Sequence, residues 1–176
     1  LDYKFVGYGN KNLFDVGTST SDYVGLSSGI NTYASKVTVV SNGVLTYVGA
    51  GSGGTLAIRN IKYKTKGKHT LSATSSFAYV RGFVVLRSLD DTRWLNDSDA
   101  TITGWTYNQY FGAWHKDVNS TTPSFAVDIP TNIAYWMVGL GFSTATAGNT
   151  YTLSNIQLEF GETATTYEPY QGQVYV

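Results

Sequence analysis

Val37-Thr38-Val39-Val40-Ser41-Asn42-Gly43-Val44-Leu45-Thr46-Tyr47-Val48 sets two β-branched, partly aromatic runs on either side of Asn42-Gly43. A tight Asn-Gly link needs φ > 0 at both central residues, and its twist matches that of paired strands. The stretch therefore predicts a β-hairpin. The same grammar extends outward along the chain. Short runs rich in Val, Ile, Thr and aromatics recur at 12–16, 55–64, 68–77, 80–89, 101–111, 124–129, 134–143 and 150–160. Clusters of Gly, Asn, Asp and Ser separate them, as turns separate strands. Residues 17–35, 90–99, 113–123 and 145–149 read as loops or turns. The glycine-rich stretch 49–54 lacks the Gly-Lys-Ser/Thr ending of a phosphate loop. No segment sustains a capped helical period, so the fold class is all-β. Nine or ten strands at this spacing predict a two-sheet antiparallel β-sandwich, of jelly-roll type.

Composition agrees. The 176 residues include 14 Tyr, 19 Gly and only 3 Pro, and aromatics make up 15% of the chain. Glutamate occurs only at Glu159, Glu162 and Glu168, which leaves the chain poor in helix formers. Length suits one domain with its own core. There is no cysteine, which excludes disulfides and thiolate chemistry. Twelve basic residues balance twelve acidic ones. Nucleic-acid binders carry a basic surplus, so no nucleic-acid partner is expected. No apolar run approaches the roughly 20 residues of a membrane span, and no membrane partner is expected. Residues 1–11 read as a linker or the edge of a parent chain, 12–170 as the domain, and 171–176 as an exit segment.

Catalytic signals are weak. His69 and His115 stand in unrelated segments, with no zinc-binding spacing and no Gly-x-Ser-x-Gly elbow around any serine. Asp90, Asp91, Asp97, Asp99 and Asp117 lie in turn-like sequence, where Asp serves turn chemistry. The expectation is that the chain is not an enzyme. Lys62, Lys64, Lys66 and Lys68 fall at every second position, hence on one face of an extended segment. The plain reading is a solvated face or a sheet edge guarded by lysine. The sharper alternative is a site for an anionic ligand.

The aromatics say more. All four Trp lie between residues 94 and 136, with Tyr107, Tyr110, Phe111 and Tyr135 in the same stretch. Sugars pack their C–H faces on aromatic rings and pair their hydroxyls with amide, carboxylate and guanidinium groups. Candidate carbohydrate contacts are therefore Trp94, Trp114, Tyr107, Tyr110 and Tyr135, with Arg93, Asn96 and Gln109 as polar partners. Trp94 and Trp114 sit in or beside loops and are expected to be exposed. In 135–142 one parity, Trp136, Val138, Leu140 and Phe142, is continuously apolar and reads as core. The other holds Tyr135, Met137, Gly139 and Gly141, which predicts an exposed Tyr135 beside an open groove. In 103–111 the inward face stays undecided between the Trp105/Tyr107/Gln109/Phe111 parity and the Gly104/Thr106/Asn108/Tyr110 parity.

The C-terminal stretch Leu153-Ser154-Asn155-Ile156-Gln157-Leu158-Glu159-Phe160-Gly161-Glu162-Thr163-Ala164-Thr165-Thr166-Tyr167-Glu168-Pro169-Tyr170 is the most specific motif. It resembles a segment that closes carbohydrate-binding-module-like jelly-roll domains of bacteriophage tail and baseplate proteins. Asn12-Leu13-Phe14-Asp15 is similar to the opening strand of that family. The resemblance implies a non-catalytic virion module that attaches the phage tail to bacterial cell-surface polysaccharide. Other tail or baseplate proteins are its implied partners. The alternative is a structural adapter that binds another tail protein. Related modules often hold a structural calcium through carboxylates near the first and last strands. Here Ser154-Asn155 stands where an acidic pair is common, so no cofactor is expected. Read from its residues, the motif is structural: Ile156, Leu158 and Phe160 alternate as the inward face of a last strand, and Gly161 ends it.

Overall fold

A computed structural model describes residues 5–8, 11–28, 31–33, 35–49 and 55–175. The strands are β1 (Phe5–Tyr8), β2 (Tyr23–Val24), β3 (Leu26–Ser28), β4 (Asn31–Tyr33), β5 (Val37–Ser41), β6 (Val44–Val48), β7 (Thr55–Arg59), β8 (Gly67–Ser75), β9 (Val80–Ser88), β10 (Thr106–Asn108), β11 (Ala113–Val118), β12 (Ser124–Ile129), β13 (Ile133–Phe142), β14 (Thr150–Phe160) and β15 (Gln173–Tyr175). The helical element among the described residues is a 3₁₀ turn, Thr20–Asp22.

Two antiparallel sheets form the sandwich, in the orders β10-β11-β9-β13-β7-β2 and β12-β8-β14-β6-β5. From β6 to β14 the chain repeatedly crosses between them, giving the inner quartets β11-β9-β13-β7 and β12-β8-β14-β6. This is the connectivity of a jelly roll, with two interlocked Greek keys. The hairpin that opens the sequence reading forms between β5 and β6, with Asn42 at φ 51° and Gly43 at φ 76°. β1 pairs with β15, so the presumed linker and exit segments meet each other.

The core between the sheets takes the inward parity of each strand: Val84 and Leu86 from β9, Trp136, Val138, Leu140 and Phe142 from β13, Leu71 from β8, Phe125 and Val127 from β12. Buried aromatic polar atoms find carbonyls. Tyr47 Oη donates to Leu140 O (2.9 Å), Trp136 Nε1 to Thr65 O (2.7 Å) and Trp105 Nε1 to Ala126 O (2.9 Å). These bonds remove the desolvation cost that large polar aromatics otherwise carry.

Several boundaries differ from the sequence reading. Residues 12–16 form no strand, although Leu13 N donates to Leu158 O. The aromatic run 101–111 forms only the short β10, and 113–118, read as turn, is β11. The loop 17–35 contains β2, β3 and β4. Ile156 and Leu158 face inward as expected; Phe160, on the same parity at the end of β14, lies against the His69 ring and is 53% exposed, while Gln157 and Glu159 on the opposite face are buried. A register shift between Ser154 and Gln157, centred on Asn155 at φ 48°, moves the inward parity from Tyr151 and Leu153 to Ile156 and Leu158. An extra residue in one strand flips the parity beyond it. The tail 161–170 then folds over the Gln157/Glu159 side. Gln157 Nε2 donates to Glu159 Oε2 (2.6 Å) and Thr165 O (3.2 Å), and Gln157 Oε1 accepts from Glu168 N (2.9 Å). Glu159 also accepts from Thr165 N and Thr165 Oγ1. Asn12 completes the clamp, donating to Ile156 O and Glu168 O.

Candidate functional site

β9 extends further than its neighbour β11. The β11 register on β9 ends at Trp114↔Val84, and at Arg87 the partner becomes Trp94, through an antiparallel bridge. The β9–β10 connection thus returns along the end of the sheet. Ser88 N donates to Arg93 O and Leu95 N to Leu86 O, each at 2.9 Å. Aspartates brace the loop from within. Asp90 accepts from Ser88 Oγ, Thr92 N and Thr92 Oγ1. Asp99 takes both arms of the Arg93 guanidinium (2.6 and 2.7 Å) and Asn96 N (2.9 Å).

Trp94 stands on this braced loop and is 40% exposed. The Arg87 guanidinium lies 4.9 Å from its ring centroid and is itself held by Asp91 (2.8 Å). Tyr135 meets the indole edge-on at 5.9 Å and 89°. Two aromatic-type contacts therefore fix the ring before any ligand arrives.

Trp94 borders a groove of about 270 Å³ on the outer face of the six-stranded sheet, lined also by Val24, Leu26, Ile58, Val85, Gly112 and Met137. A second hollow, about 260 Å³, is lined by Asp97, Tyr107, Asn108, Gln109 and Tyr110. The same two connections, β9–β10 and β10–β11, border both. Tyr110 is 62% exposed, and Asn108 Oδ1 shapes its turn by accepting from Tyr110 N (2.8 Å). Burial, then the charges of Asp97 and Asp99, push the Tyr107 phenol up, so it stays protonated and can donate.

Of the residues picked from sequence, Trp94, Tyr107, Gln109 and Tyr110 come together at these hollows. Trp114 does not. It is 2% exposed, because β11 starts at Ala113 and turns the indole inward, against Tyr107 at 4.8 Å. The expectation of an exposed Trp114 is overturned. Tyr135 is outward-facing as expected but only 7% exposed, since Trp94 and the Lys62 ammonium (4.9 Å from its centroid) cover it. The groove lies over Val85, Met137 and Ile58, and Gly139 does not line it; the β7 backbone at Ala57 occupies the space a Gly139 side chain would need. Arg93 borders a third hollow with its fork engaged on Asp99, and Asn96 Oδ1 accepts from Ser98 N. Both build the loop. Sequence reasoning missed Arg87, although its parity with Phe83 and Val85 put it on the outer face.

The carboxylates that were candidates for acid catalysis are set the other way. Hydrogen bonds from Thr92 and Ser88 lower Asp90, the Arg81 fork lowers Asp117, and the Arg93 fork with Asn96 N brings Asp99 down to about 2. None of these three is held protonated near neutrality, as a proton donor must be. Asn155 Nδ2 donates to Thr74 Oγ1, and Glu159 is engaged by Gln157 and Thr165. Among the described residues no three His, Asp or Glu side chains group as metal ligands.

No family model matches the chain, and no curated protein matches it. Among solved structures it is similar to a chain from work on carbohydrate-binding modules of the beta-sandwich super family, with a TM-score of 0.41 and 10% identity. The match covers 86% of this chain and 62% of that one, so this chain spans less than two-thirds of its length.

Proposed function

We propose that this chain is a non-catalytic carbohydrate-binding domain whose ligand lies across the rim formed by the β9–β10 connection and the β10–β11 turn. One observation carries the reading: Trp94 is an exposed indole locked by Arg87 and Tyr135 at the mouth of a groove. A ring already fixed loses little conformational freedom when a sugar face stacks on it. The adjoining hollow supplies phenol, amide and carboxylate groups, at Tyr107, Tyr110, Gln109, Asn108 and Asp97, suited to sugar hydroxyls.

The finer reading follows the resemblance of residues 153–170. The domain belongs on a phage tail or baseplate protein, acting on the virion at the host surface. It holds bacterial cell-surface polysaccharide and neighbours other tail proteins. An adapter role calls for a flat apolar patch, whereas the exposed ring here borders a groove.

The test labels the 176-residue chain with a fluorophore and images it on Gram-positive cells before and after wall polysaccharide is stripped. Labelling should vanish on stripping. Trp94→Ala should weaken it about tenfold or more, equivalent to ~1.4 kcal/mol, with an unchanged melting temperature. Equal labelling of stripped cells, or a Trp94→Ala variant that binds like the parent, would sink the proposal.

A further inference from the structure

We propose that the saccharide taken at this rim is anionic, and that Lys62 and Lys64 meet its acidic groups beside Trp94. The inference rests on the carbohydrate reading and narrows it to one chemical class.

Beyond β7 the chain rejoins the sheet at Tyr63, which exchanges both backbone hydrogen bonds with Trp136 at 2.9 Å. Tyr63 points inward and donates to Leu13 O. Its neighbours Lys62 and Lys64 therefore take the outer face, and both are exposed. That is the face of Tyr135, Arg87 and Trp94. The Lys62 ammonium rests over the Tyr135 ring, and the far edge of that ring pair is the Trp94 indole. A cation held on an aromatic face is positioned without a carboxylate partner.

Six of the described cations already face a carboxylate, and five described lysines do not: Lys36, Lys116 and the run Lys62, Lys64 and Lys66, which stand close in sequence. Arg59, Arg81, Arg87, Arg93, Lys11 and Lys68 each pair with a carboxylate. Among the described residues no carboxylate pairs with Lys62, Lys64 or Lys66. Lys66 is directed at Ala134 O, and burial followed by the charge of Lys64 lowers its pKa. Lys64 and Lys66 thus repel each other near Tyr135, and Lys62 rests on the Tyr135 ring. An anion there relieves that repulsion, and a charged rim also speeds capture of an acidic polymer.

The experiment titrates the chain by calorimetry with four probes: polygalacturonate, poly(glycerol phosphate), neutral dextran and single-stranded oligothymidylate. One of the first two should bind at least tenfold better than dextran, and which one distinguishes carboxylate from phosphodiester. Replacing Lys62→Gln and Lys64→Gln together should weaken it about tenfold, the scale of one charge-assisted contact. Lys68→Gln, a cation already paired on the other sheet, should leave it unchanged. Trp94→Ala should weaken it as well. Trp94-dependent binding of dextran that ignores the lysine variants overturns the anionic assignment and leaves the carbohydrate reading standing. Binding of single-stranded oligothymidylate with the same Trp94 and lysine dependence overturns it in favour of nucleic acid. If no polymer binds and stripped and intact cells label alike, the carbohydrate reading itself fails.

Discussion

Trp94 and Trp114 have the same side chain and similar polar and aromatic company in sequence, yet the sheet sends them to opposite environments. At Trp114 the strand has begun, and its pairing with Val84, an inward residue, fixes the indole between the sheets. At Trp94 the pairing is with Arg87, an outward residue, and the indole follows it outside. The two expectations of exposure rested on nearness to a loop. What decides the matter is the register on β9, which no local pattern contains. Trp114→Ala should therefore cost about 3–5 kcal/mol of stability, as removal of a large buried aromatic does. Urea unfolding measures it. A loss below about 1 kcal/mol would mean that the indole is not packed as described. Trp94→Ala should be nearly silent in that assay, so the two variants separate a core role from a surface one.

At the scale of elements, the turn chemistry was the most legible feature. Asn42-Gly43 specifies its hairpin because few residues tolerate two successive positive φ angles. β13 was equally legible, since its apolar parity runs unbroken from Trp136 to Phe142. In β14 the inward Ile156 and Leu158 were legible, and the burial of the opposite face under the tail was not. The bulge at Asn155 switches the inward parity from Leu153 to Ile156 and Leu158, and Glu159, on the opposite face, is buried by the returning tail that it holds. The C-terminal motif is thus read correctly as structural, but through its polar residues more than its apolar ones. This clamp can be tested. Glu159→Leu keeps the bulk but removes both acceptor oxygens, to which Gln157 Nε2 and the Thr165 N–H and O–H now donate. Unsatisfied buried groups cost about 1–3 kcal/mol each. The variant should melt several degrees lower and should be cleaved by protease within 161–170 under conditions where the parent chain is intact. Parent-like resistance in that segment would show that the carboxylate does not hold the tail.

The whole molecule explains why the sandwich could be read and the proposed binding face could not. Strand rhythm is local, and two sheets follow from it. The outer-face groove collects Leu26, Ile58, Val85, Trp94, Gly112 and Met137, residues that only the shuttling of the chain brings together. The same closure buries His69 of β8 against Trp136 of β13, at 5.0 Å, so that a titratable ring joins the two sheets. Gly67 O, at 2.9 Å, suits a proton on Nδ1 and leaves Nε2 to accept from Thr65 Oγ1. Burial lowers its pKa, against the smaller opposing effects of the Gly67 bond and the Asp128 charge. His115 is lowered by burial and by Arg81, with Asp117 opposing. For a histidine lowered in the folded state, the unfolded chain takes up the proton first. Above pH ~6.5 both states are neutral and the groups contribute nothing to pH dependence; below it, stability falls until the folded-state pKa values are passed. The lowered carboxylates act in a separate window, adding stability above about pH 4 and losing it as pH falls toward their folded values. The melting temperature should therefore be level above about pH 7 and decline toward pH 5. His69→Gln should flatten much of that decline while lowering the plateau, because glutamine cannot refill the space against Trp136. A flat profile for the parent chain across this range would mean that His69 is not held neutral between the sheets, and would count against the inter-sheet packing on which the orientation of the binding face depends.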